Sequence, residues 1–151
     1  MRKYKLSIEL VPESAWGNNL RNCLPAKDWD ILKKACYVRA GGKCTVCGWQ
    51  SEELDAHEIW DFNTNKQTQT LLDIQALCKR CHGVKHFRNS ERIGYGDDAK
   101  KHFAKINDCG DLDFASHWLS EQILYNERPN KTAHTKPLQN SAKNSLCWRL
   151  L

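Results

Sequence analysis

The chain has 151 residues, 40% of them hydrophobic, and a net charge of +5 from 23 Lys or Arg against 18 Asp or Glu. That length suits a single domain with a modest core. No stretch approaches the ~20 apolar residues of a membrane span, and the opening MRKYKLSIEL lacks the unbroken apolar run of an export signal, so a soluble, cytoplasmic protein with reduced thiols is expected and a disulfide scaffold is not.

In chain order, Leu6, Ile8 and Leu10 alternate with polar residues, the period of a half-buried strand that Pro12 ends. Pro25 to Ala40 reads as a helix with Trp29, Leu32, Cys36 and Val38 on its buried side and Gly41-Gly42 as its stop. LDAHEIWDF, from Leu54 to Phe62, is rich in β-branched and aromatic residues; NTNK supplies a turn and QTQTLLDIQAL the returning strand. From Lys79 the pattern becomes helical as far as RIGYG, and two more helices are expected over about 98–107 and 113–127, the latter with Phe114, Trp118, Ile123 and Leu124 as its apolar face. The polar, proline-containing stretch 129–146 reads as a linker, and the apolar CWRLL at 147–151 as a tail that returns to the body.

Two C-x2-C pairs, Cys44/Cys47 and Cys78/Cys81, carry the strongest signal. Each spacing lets a tight turn aim two sulfurs at one ion, and two such pairs complete a closed tetrahedral zinc site. The isolated Cys23, Cys36, Cys109 and Cys147 read as small apolar residues. The charge is also local: residues 79–105 hold eight basic residues against three acidic ones, while fifteen of each sign balance elsewhere. A basic stripe beside a metal motif can grip a polyanion, and Lys79, Arg80, Lys85 and Arg88 are the first candidates for phosphate contacts.

Three histidines fall in the same unit. His82 and His86 are four apart, on one face of a helix, and His57 lies in the first hairpin strand. With four cysteines already satisfying zinc, these imidazoles suit phosphodiester hydrolysis, which needs a base to deprotonate water, a divalent cation to stabilise the developing phosphorane and a basic surface. His57 is the candidate base, His82 the leading cation ligand and His86 a second ligand or a phosphate contact.

CTVC, DAHEIW and LCKRCHGVKH in a strand–turn–strand–helix frame resemble the HNH endonuclease family over roughly residues 43–90. The flanking KLSIELVPESAWGNNLRNCLPAKDWD, HFAKIN and CWRLL are more loosely similar to a bacterial and phage subgroup of HNH-like proteins. The resemblance implies a ββα-metal core braced by a four-cysteine zinc, His57 as general base, His82 as ligand of a catalytic Mg²⁺ or similar ion, and His86 as an additional histidine. It also implies DNA rather than RNA as substrate. Many members place a ligand immediately before the base histidine, where this chain has Ala56; Asp55 comes one residue earlier and is expected to reach the cation only from a bulged strand or with a geometry different from the family's. The family's middle asparagine is replaced by Asp73, which is expected to coordinate the cation or orient the base histidine, with Asn63 and Asn65 as rivals in the turn. Glu58 is expected on the face opposite His57 in a structural role, Trp60 in the core, and Asp61 as a minor candidate for the cation.

The expected architecture is therefore α+β: an N-terminal strand-and-helix scaffold (1–42), an HNH-like core (43–93), a helical C-terminal part (97–128), a linker and a returning tail. The expected function is a metal-dependent DNA endonuclease; the alternative is a zinc-braced DNA-binding or protein-interaction module of the same shape without turnover.

Overall fold

A computed structural model describes residues 3–63, 68–127 and the backbone of 139–140. Asn65 and Cys147, most of the turn after Asn63, and nearly all of the expected linker and tail lie outside the described residues. The fold mixes helix and strand. A long antiparallel hairpin, β1 (Leu54–Asn63) and β2 (Thr68–Cys78), forms its centre, and β3 (Gln139–Asn140) adds two parallel residues beside the start of β2. Before it come α1 (Leu20–Cys23) and α2 (Ala26–Arg39); after it come α3 (Lys79–Lys85), α4 (Phe87–Arg92), α5 (Gly96–Asn107) and α6 (Asp111–Glu127). Among the described residues no helix is long and apolar enough to cross a membrane.

The hairpin separates two apolar clusters. On one side α1 and α2 pack Leu20, Trp29 and Cys36 against Leu71, Ile74 and Ala76. The buried positions of β2 change parity, from 69 and 71 to 74 and 76, because a bulge between Ile59 and Trp60 of β1 leaves Leu72 without a partner in the ladder. One extra residue shifts the alternation by one and so keeps the same face toward α2; Leu72 is left 58% exposed. On α2, Val38 is exposed instead of buried, since it lies about 200° around the helix from Cys36, and Tyr37 packs on the cluster in its stead.

The second cluster joins Leu6, Ile8 and Leu10 to Leu77, Val84, Phe87, Phe103 and Phe114. The N-terminal segment has the burial alternation of a strand but, among the described residues, pairs with no strand. Its amides are satisfied one by one: Leu6 N–H by Asn107 Oδ1 at 3.0 Å, Ile8 N–H by His117 Nε2 at 2.9 Å and Glu9 N–H by the Lys85 carbonyl at 2.9 Å. Asn107 also donates Nδ2–H to the Leu6 carbonyl at 2.8 Å. A buried backbone must find partners, and this arm finds them on α3, α5 and α6 instead of in a sheet.

The expected single helix after Cys78 is two. His86 leaves helical geometry (φ −100°, ψ 46°), closing α3 and opening α4. α5 and α6 lie close to expectation, divided by Asp108 in the left-handed region (φ 48°). On α6, Phe114 is buried and Trp118 stacks edge-on against Phe87, but Ile123 and Leu124 are exposed and Tyr125 takes the inward position, its hydroxyl donating to Glu13. Ile8→Ala should cost about 2–5 kcal/mol in urea denaturation, because the arm's side chains are core and not ornament; a change within error would show that the arm docks without stabilising the fold.

Candidate metal centres

The cysteine cluster is built by three local devices. A knuckle at 44–48 turns back on itself, with Gly48 N–H donating to the Cys44 carbonyl and Cys44 N–H to the Trp49 carbonyl, both at 2.9 Å, and Gly48 at φ 75°, where a side chain would be strained. Thr45 donates both its N–H and its hydroxyl to the Ala76 carbonyl, pinning the knuckle to β2. Cys78 ends β2 as the N-cap of α3, and Cys81 follows in that helix's first turn. The four sulfurs thereby fall within 4.8 Å of one another, and Cys47 and Cys78 are 3.7 Å apart.

That geometry and its electrostatics fit a metal ion. A tetrahedral ion bonded to sulfur at about 2.3 Å requires S–S edges of roughly 3.8 Å. Burial opposes ionisation of Cys44, yet backbone N–H donors from the knuckle and the α3 start bring its thiol down to about 7. Cys81 and Cys78 are pushed up, by burial and then, chiefly, by the thiolate of Cys44. Four thiolates cannot coexist here without a multiply charged cation among them. His102, on α5, places Nε2 3.2 Å from Cys81 Sγ, an outer contact of the kind that orients a metal ligand; no spacing in the sequence points to it.

A second cluster lies beside the first. His57, His82 and His86 can each offer a ring nitrogen within 4.8 Å of the others, their rings meeting edge to face with centroids 4.7–5.4 Å apart. His57 is buried, with Nε2 2.8 Å from Glu9 Oε2, and His82 Nδ1 is 2.9 Å from Asp55 Oδ2. Each carboxylate fixes one ring nitrogen as the protonated one and leaves the other's lone pair free for a proton or a cation. Burial, then the neighbouring His82 and His57, lowers His86 to about 4. Burial also lowers His82, against the pull of Asp55.

Asp55 needs no bulge to reach this site. The ladder is regular from Leu54 to Ile59, so Asp55 and His57, two apart, share a face by ordinary alternation. Ala56 points the other way and packs on the α2 cluster. Glu58 also faces away from His57, accepting from Leu20 N–H and Trp60 Nε1–H at 2.9 and 2.8 Å. Asp73 is drawn off to Arg39, 2.8 Å away on α2, and belongs to neither cluster; Asp61 is exposed on β1.

The basic candidates divide. Lys79 and Arg80 line a cavity of about 900 Å³ that reaches His82 and His86, joined there by Lys101 and Lys105 of α5. Lys85 does not: it is 6% exposed, and its ammonium is bound to Glu9 Oε1 and, at 3.1 Å, to Ser7 Oγ. Arg88 lies over the Tyr125 ring, 4.7 Å from its centroid. Glu9 is the residue that sequence reasoning overlooked, because it sits outside every motif. Burial raises its carboxyl, but the hydrogen bond from His57 and the charge of Lys85 prevail and hold it at about 2.

Two measurements follow from these centres. The protein should carry one tightly bound metal ion per chain at the cysteines, and a strong chelator should lower its melting temperature sharply, as expected where metal binding is coupled to folding; an unchanged melting curve with the ion removed would deny it a structural role. His86 is neutral in the fold well below its ordinary value of 6.5, so the unfolded chain binds more protons and stability should fall as pH drops from about 6.5 toward 4. His86→Asn should flatten that slope in urea titrations at successive pH values. Compared with protein-family models, with curated proteins and with solved structures, the chain has no match in any of the three.

Proposed function

We propose that this protein is a metal-dependent nuclease of HNH type that hydrolyses phosphodiester bonds in DNA, braced by a structural zinc at Cys44, Cys47, Cys78 and Cys81. The observation that carries the reading is the histidine trio: two of its rings are each fixed by a carboxylate, and all three have nitrogens within 4.8 Å of one another beside a basic cavity. Such an arrangement separates the roles that hydrolysis requires.

In this reading His57 is the general base. With Nε2–H donated to Glu9, Nδ1 accepts the proton of an attacking water, and the carboxylate offsets the charge of the imidazolium that results. His82 and His86 would hold a divalent cation such as Mg²⁺, which supplies charge to the developing phosphorane and leaving oxygen. Asp55 keeps His82 in the tautomer with Nε2 available, and its other oxygen holds Lys79 at 2.7 Å, at the mouth where a phosphate would enter. Lys79 and Arg80, with Lys101 and Lys105, hold the backbone without reading sequence, so binding should weaken steeply with salt. A protein of this kind works in the cytoplasm.

The second reading is a zinc-braced DNA-binding module without turnover, favoured by the engagement of Asp73 with Arg39, away from both clusters. Supercoiled plasmid with Mg²⁺ or Mn²⁺ decides between them. Nicking is expected, abolished by EDTA, and reduced about 10²–10⁴-fold in a folded His57→Gln variant; salt-sensitive gel shifts with no nicking by the wild type would sink the nuclease and leave the binding module.

A further inference from the structure

The histidine trio is reached from two sides. His82 and His86 line the basic cavity and also a second, open cavity of about 510 Å³ between the hairpin and the loop that precedes α1. The two linings differ in chemistry. The first is cationic. The second is aromatic, walled by Trp16, Trp29, Trp60 and Phe62, with Arg21 as its cation and Glu9 and Glu58 as its carboxylates, and it borders His57 directly.

Two features of the second cavity suit a flat aromatic ring. Trp16 is 62% exposed, yet its indole is held in place by Nε1–H donation to the Val11 carbonyl at 3.1 Å, which leaves an ordered aromatic face open to stacking. Trp60 is fixed likewise through Glu58.

We infer that the substrate is engaged as an unpaired strand: its phosphates follow the basic cavity, and a base enters the aromatic cavity on the far side of the trio, stacking on Trp16. A base inside an intact duplex has its faces stacked and its pairing edge occupied, so only a single-stranded or extruded nucleotide can fill this cavity. The inference rests on the nuclease reading only for the place of the scissile phosphate, and binding tests it separately.

The test is fluorescence anisotropy at low salt without added divalent cation, using a labelled oligothymidylate of about ten nucleotides, within the span typical of such sites, a backbone-matched abasic strand, and a duplex of the same length. Oligothymidylate should bind about ten-fold or more tightly than the abasic strand, as stacking of a base predicts, and more tightly than the duplex. Trp16→Ala should shrink the base-dependent gap and Trp16→Phe should preserve most of it. Equal affinity for the thymidylate and abasic strands, or tighter binding of the duplex, in the wild-type protein would overturn the inference. Base-dependent binding without cleavage of any polymer would remove the nuclease and keep the unpaired-strand site; duplex nicking without base-dependent binding would do the reverse.

Discussion

Four sulfurs within 4.8 Å of one another set the constraint on which the fold depends. They come from a knuckle, a strand end and a helix start, and Thr45 already ties the knuckle to β2 through the Ala76 carbonyl. Ionising one thiol raises the cost of ionising its neighbours, as the opposite displacements of Cys44 and Cys81 show. A bound cation would resolve this repulsion and would hold the knuckle, β2 and α3 together as one unit. The placement of His82, one residue beyond Cys81, is a consequence of that unit.

The histidine cluster depends on a second, weaker clamp. Glu9 reaches it from an arm that pairs with no strand among the described residues, and bonds His57 with one oxygen and Lys85 with the other. One carboxylate thereby orients a ring, neutralises a buried ammonium and ties the first residues of the chain to α3. Burial makes the charge of Glu9 costly, and two partners more than offset it. The arm in turn is held by Asn107 and His117 from α5 and α6, so helices remote in sequence support the geometry around His57.

Much of the secondary structure was legible, because it depends on short-range pattern. The hairpin, the helix after Pro25 and the two C-terminal helices follow periodicity and stop signals that neighbouring residues supply. The departures have long-range causes. Leu6, Ile8 and Leu10 alternate as a strand would, but alternation reports burial and not pairing, and their amides found side chains instead. Val38, Ile123 and Leu124 are apolar and exposed because hydrophobicity alone does not say which face of a helix meets the core. The break at His86 came where α3 and α4 must both fold back on α5.

By itself the sequence determined the four-cysteine cluster and the approach of His57, His82 and His86, since C-x2-C turns, a hairpin and a helical spacing of four fix those positions locally. Only the tertiary structure decided which residues support them. Asp55 joined the trio while Asp73 went to Arg39, Lys85 turned inward to Glu9, and Lys101 and Lys105 lined the cavity in its place. The reason is that a charged side chain goes to the nearest opposite charge or to water, and which of these is near is a property of the packed chain, not of the order of its residues.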